Sequence, residues 1–180
     1  MRRPEPVDNE RFFLPDEIIV SKTDLKGIMT YVNPVFCRVA CYTEAELLGK
    51  NHNLIRHPDM PRGVFKFLWD RIQAGHEVFA YVKNLCKTGE YYWVLAHVTP
   101  TFGPKGEIVG YHSNRRVPAR EAIAAVEPVY RDLIALEAKI PNPKKAAVAG
   151  MQAIVDLVVG AGFPSYDAFV FSIINARRAA

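Results

Sequence analysis

"EIIVSKTDLKGIMTYVN", residues 17–33, splits into two short runs rich in β-branched and aromatic residues on either side of Asp24-Leu25-Lys26-Gly27. A polar turn ending in glycine between two such runs predicts a β-hairpin. Directly after it, Asn33 before Pro34 supplies an N-cap and a first helical position for "PVFCRVA", and Thr43 with Glu46 makes a T-x-x-E capping box for "EAELLG". A hairpin followed by two brief helices is therefore expected.

Working outward, "PRGVFKFLWDRIQAG" (61–75) sets Val64, Phe65, Leu68 and Ile72 along one side of a longer amphipathic helix that starts at Pro61 and stops at Gly75. Three strand-type segments follow: "EVFAYVKNLCK", then "YYWVLAHVTPTFG" across Thr88-Gly89, then "IVGYHSNRRV" across Gly103-Pro104-Lys105-Gly106. Hairpins interrupted by helices argue for an α+β fold, with a five-stranded antiparallel sheet, helices on one face, and room for a ligand between the layers.

On the N-terminal side, residues 1–16 form an arm with three prolines and many charges, which gains order by docking Phe12 and Phe13. Residues 17–117 make the α+β domain. Residues 118–180 read as a helical extension: "AREAIAAVEPVYRDLIALEAK", a Pro-Asn-Pro break at 141–143, "KKAAVAGMQAIVDLVVGAG", and "SYDAFVFSIINARR". Pro128 predicts a helix start or a kink. Alanine and valine at helical spacing over 146–159 predict packing, including against a second copy of the chain.

Composition narrows the functional classes. The chain of 180 residues is 49% hydrophobic, enough for one core with an appendage. Its net charge of +4 is scattered, with Arg115-Arg116 the one concentrated basic spot, so no nucleic acid partner is expected. Cys37, Cys41 and Cys86 form neither a C-x-x-C pair nor a haem-attachment motif and read as packed thiols in a reducing compartment. No apolar run approaches the ~20 residues that span a bilayer, and the N-terminus lacks the apolar stretch of a signal peptide. A cytoplasmic protein without membrane insertion is expected. No nucleophile elbow, zinc-protease motif or phosphate-cradling glycine loop is present, so no enzyme is predicted.

The words "YVNPVFCRVACYTEAELLGKN", "KNLCKTGEYYWV" and "GEIVGYHSNRR" resemble the PAS domain, a sensory module, over residues 17–117. "HNLIRHPDMP", "KNLCKTGEYYWV" and "EAIAAVEPVY" resemble more closely the FAD-binding PAS region of bacterial aerotaxis receptors. That resemblance implies non-covalently bound FAD whose redox state reports oxygen or electron-transport status. It implies that this state is read by the chemotaxis machinery; a signalling partner such as a chemoreceptor or kinase, and a homodimer, are expected. The receptors continue into membrane and signalling segments that residues 118–180 do not match, so signalling is expected through another chain.

The resemblance implies that His52, Asn53, Arg56, His57 and Asp59 line the mouth of the pocket, with Arg56 bonding a pyrophosphate or carbonyl oxygen and Asp59 orienting a donor. The alternative is that Asp59 caps the 61–75 helix while the histidines and Arg56 bond backbone carbonyls. Asn84 lies mid-strand, where asparagine is disfavoured, and its amide suits a flavin carbonyl and ring nitrogen; a bulge or edge position is the other reading. Trp69 and Trp93, with Phe65, Phe79 and Tyr81, supply either a flat wall for an isoalloxazine ring or ordinary core. Related flavin domains carry Trp-Ser-Gly where this chain has Val78-Phe79-Ala80, which leaves Phe79 or Tyr81 as the aromatic partner. No cysteine occupies the 50–61 segment, so a flavin–cysteine photoadduct is not expected. Haem held by His76, His97 or His112, and an empty pocket in a pure interaction module, are the alternatives to FAD.

Overall fold

The computed structural model describes residues 4–176. The outer ends of the predicted arm and extension, residues 1–3 and 177–180, lie outside the described residues, Arg177 and Arg178 of the last predicted helix among them. The chain divides into two compact units. One contains the residues up to Pro58 together with Arg71–Val117, and the other contains Asp59–Asp70 together with the residues from Pro118 onward.

In the first unit, strands β1 (Ile19–Thr23), β2 (Met29–Val32), β3 (Val78–Leu85), β4 (Tyr91–Phe102) and β5 (Ile108–Arg116) form one sheet in the order β2-β1-β5-β4-β3, every neighbouring pair antiparallel. The predicted hairpin closes through Asp24, whose Oδ1 accepts from the backbone N–H of Lys26 at 2.8 Å and of Ile28 at 2.9 Å, with Gly27 at φ 76°. Asn33 does two things at once. Its Oδ1 accepts from Phe36 N at 3.1 Å, capping α1 (Pro34–Ala40), and from Val20 N at 3.0 Å, while its Nδ2 donates to Ile18 O at 2.8 Å, tying the helix start to β1. Thr43 and Glu46 form the expected capping box at the start of α2 (Glu44–Leu47).

Directly opposed residues on neighbouring strands point to the same face. One face therefore carries the rows Ile19–Arg115–Ala96–Ala80 and Ser21–Ser113–Val98–Val78, with Tyr92 opposite Asn84. Helix α1 covers this inner face, its Phe36 ring 4.8 Å from the Arg115 guanidinium carbon. The outer face carries Phe79, Tyr81, Lys83, Trp93, His97 and His112.

Strand β5 ends at Arg116, opposite Leu95, so the first residues of β4 have an edge that β5 does not reach. The arm takes that edge. Val7 N donates to Gly89 O at 2.9 Å, Tyr91 N to Asn9 O at 3.0 Å, and Arg11 N to Tyr91 O at 2.7 Å. Phe13 is buried as expected, whereas Phe12 is 70% exposed.

The second unit is helical: most of α3 (Arg62–Gln73), then α4 (Arg120–Ala138), α5 (Pro143–Gly160) and α6 (Tyr166–Ala176). Pro128 lies inside α4 instead of at its start. Asn142 caps α5, accepting from Lys144 N at 3.0 Å and Lys145 N at 3.1 Å. The start of α3 is bonded by a side chain from far along the chain: Glu137 of α4 accepts from Arg62 N at 2.8 Å and from Gly63 N at 2.7 Å. Gly63 meets α5 backbone to backbone, since a Cβ there would sit 2.3 Å from the Gly150 carbonyl carbon. Among the described residues no helix is long and apolar enough to cross a membrane.

Candidate functional site

The inner face of the sheet carries a group of polar residues centred on Arg115. Arg115 is 2% exposed, and β5, which carries it, is an interior strand. Its Nη2 donates to Ser21 Oγ and to His52 Nε2, the latter at 2.7 Å, and its Nε donates to Ser113 Oγ at 3.1 Å. Ser21 Oγ also lies 3.3 Å from His52 Nε2. His52 comes from a 3-10 turn over His52–Ile55, which starts when Asn51 Oδ1 accepts from Asn53 N at 2.9 Å. The His52 ring is tilted over Phe36 at 5.9 Å between centroids.

Electrostatics fix the charge state of this group. Burial, with the Arg115 charge beside it, pushes the His52 imidazole down to about 3, so at neutral pH it is uncharged and its Nε2 accepts from the guanidinium. Burial also lowers Arg115, to about 10, which leaves it protonated at pH 7. Three polar atoms on the inner face are buried without a hydrogen-bond partner: Arg115 Nη1, Asn84 Nδ2 and the Tyr92 hydroxyl. Burial raises the Tyr92 phenol, which keeps it a neutral O–H. Buried polar atoms left unpaired are uncommon and costly, and three of them lie on this one face of the sheet.

The 50–58 segment reaches from one edge strand of the sheet to the other: beside β2, Met29 N donates to Lys50 O at 2.8 Å and His52 N to Gly27 O at 2.8 Å. Arg56 forms an antiparallel bridge with Asn84, and His57 N lies 3.4 Å from Lys83 O. This pairing brings the segment to the β3 edge, where Asn84 sits.

The predicted site residues are not all brought together. Asn84 and His52 reach the inner face. Asn53 is exposed, and Arg56 is half-buried at the bridge. His57 is buried with its ring edge-on to Tyr91 at 5.9 Å, and Tyr91 leaves β4 on the side opposite to Tyr92. Tyr81 and Trp93 are buried on the outer face, away from Asn84, and Phe79 stacks on His97 there at 4.2 Å. Asp59 and Trp69 belong to the second unit. His97 bonds Glu77 at 2.7 Å and His112 bonds Asn114 at 3.0 Å on the outer face, while His76 is exposed between α3 and β3. Cys86 is a packed thiol that donates to Val39 O at 3.3 Å, pushed up to about 12 by burial.

Ser21, Tyr92, Ser113 and Arg115 were not anticipated as site residues. The signal that finds them is strand alternation in "YHSNRRV", which puts Tyr111, Ser113 and Arg115 on one face, combined with the interior position of β5.

Comparison with known proteins agrees with this architecture. Residues 29–115 match the PAS fold family. The chain is 42% identical over 118 residues to the aerotaxis receptor of Escherichia coli K12, covering 66% of this chain and 23% of the receptor. It is 30% identical over 99 residues to the nitrogen fixation regulatory protein of Klebsiella pneumoniae, covering 55% of this chain and 20% of that protein. Among solved structures it resembles the dark state of the blue-light photoreceptor Aureochrome1 LOV (TM-score 0.54, 22% identity, 59% of this chain and 80% of that one). It also resembles a light-oxygen-voltage domain studied with a flavin analogue (TM-score 0.55, 16% identity, 64% and 86%). The chain thus spans about a fifth of the curated relatives it matches. The sheet order, the helices over its inner face and the shared sequence together make residues 29–115 a PAS domain, related to that of the aerotaxis receptor.

Proposed function

We propose that this protein is a PAS sensor that binds a flavin, FAD in the closest reading, against the inner face of its sheet and reports redox or oxygen status to a signalling partner. The observation that carries this reading is the set of three buried, unpartnered groups, Asn84 Nδ2, Tyr92 O–H and Arg115 Nη1. The pyrimidine side of an isoalloxazine offers carbonyl oxygens and ring nitrogens that accept such donors. When bound, the flavin supplies reversible electron uptake with a visible absorbance change.

On this reading Asn84 holds one edge of the ring, and its backbone bridge to Arg56 links that contact to the 50–58 segment. Arg56 and Asn53 then serve the polar tail of the ligand at the mouth. Tyr81, Trp93 and Phe79 are assigned to the outer face, so the apolar wall of the pocket is Val82, Val94, Ala80 and Ala96 instead.

The proposed partner is a chemoreceptor or kinase, with the protein acting as a cytoplasmic homodimer. Val148, Val155 and Val159 support the dimer: they are exposed and lie at i, i+7, i+11 along one side of α5. The test is the absorption spectrum of freshly purified protein. A flavin spectrum that bleaches on adding dithionite supports the proposal; a colourless protein that takes up neither FAD nor FMN on reconstitution rejects it.

A further inference from the structure

Arg115 is a buried cation with no negative partner among the described residues. Among the described residues the groups it bonds or stacks on are neutral: two serine hydroxyls, an uncharged imidazole and the face of Phe36. Burying a charge this way is strongly unfavourable unless a partner compensates it. Nη1 and Asn84 Nδ2 can only donate, and the Tyr92 hydroxyl has a proton to give. The inner face is therefore short of acceptors and of negative charge, and a ligand that completes it brings both.

Resting on the flavin reading, we infer that Arg115 sets the redox poise of the site: its free Nη1 meets the acceptor edge of the ring and holds the reduced, anionic ring more tightly than the oxidised, neutral one. The reduction in question adds two electrons, from a reduced electron carrier or from dithionite in the test, and one proton. It leaves one negative charge on the pyrimidine side of the ring. A fixed cation aimed at the place where that charge arises favours the charged state. By linkage, each tenfold preference for the reduced ring raises the midpoint potential by about 30 mV for a two-electron couple.

The experiment uses the full chain reconstituted with FAD, as wild type, Arg115→Lys and Arg115→Gln, titrated with dithionite against a reference dye. The expected result is a midpoint potential lower in Arg115→Gln by about 30 mV or more, the tenfold equivalent, with Arg115→Lys between it and wild type. A second readout is chemical denaturation without flavin. Arg115→Gln is expected to be at least as stable as wild type, because the substitution removes an uncompensated buried charge; a purely structural arginine predicts a less stable variant with an unchanged potential.

If Arg115→Gln takes up no flavin, the dissociation constants of oxidised and reduced FAD on wild-type protein decide. A preference for reduced FAD of tenfold or more supports the inference, and equal constants overturn it. Equal potentials in wild type and Arg115→Gln overturn the inference while leaving the flavin reading intact. A wild-type protein that binds no flavin removes both.

Discussion

The Tyr92 hydroxyl is fully buried with no hydrogen-bond partner among the described residues, so at the scale of one residue it adds no hydrogen bond to the fold. An unpaired buried hydroxyl costs roughly 1–3 kcal/mol. Tyr92→Phe is therefore expected to leave the urea midpoint of flavin-free protein unchanged or raise it by an amount worth about 1 kcal/mol, while weakening FAD binding about three- to tenfold. A clear loss of flavin-free stability would sink the idea that the hydroxyl is kept for a ligand.

His52 makes a second prediction. Its imidazole falls from an ordinary 6.5 to about 3 through burial and the neighbouring Arg115 charge. The unfolded chain takes up a proton below 6.5 that the folded protein refuses until about 3, so the group's contribution is complete above 6.5 and is lost as pH falls between these values. Stability measured from pH 7 to 4 should fall less steeply in His52→Gln than in wild type; parallel profiles would show that His52 is accessible to protons.

The site was only partly legible at this scale. Asn84 stood out because asparagine is a poor strand residue, and its buried amide faces the sheet interior. In the sequence Arg115 reads as half of a basic surface pair, because recognising a buried arginine requires knowing that β5 lies between β1 and β4. Tyr81 and Asn84 are three apart on one strand, which already puts them on opposite faces; the aromatic content of the segment concealed this alternation.

At the scale of elements, the hairpin, the Asn33 cap and the Thr43–Glu46 box were readable because each closes its hydrogen bonds within a few residues. The attachment of α3 was not, since its partners lie in α4 and α5. That attachment makes the third prediction. A methyl group at Gly63 would press into the Gly150 backbone, which does not yield as a side-chain tip does. Gly63→Ala gains up to about 1 kcal/mol of helix propensity, yet overpacking of this kind costs about 1–3 kcal/mol or more. A net loss of stability is expected, read by denaturant titration. Glu137→Ala should also destabilise, by roughly 1–3 kcal/mol, because it strips the acceptors from two helix-start amides.

For the molecule as a whole, the segment 59–70 separates from the PAS sequence around it and joins the C-terminal helices. The proposed dimer belongs to this scale. Val155→Glu puts a charge in the middle of the exposed valine row on α5. The expected outcome is a lower molar mass by light scattering, with the flavin spectrum and the thermal midpoint little changed. An unaltered mass would assign the row to ordinary surface.

The long reach of Glu137 has a consequence for the newborn chain. Arg62 and Gly63 are made 75 and 74 residues before the carboxylate that bonds them. At the usual 5–20 residues per second, that is a delay of roughly 4–15 s on the ribosome. All five strands have been synthesised by then, so β-pairing can run to completion while the opening amides of this helix still bond to water. The order of synthesis thus makes the α3 clasp available only after every strand of the sheet and before the packing of α5 and α6.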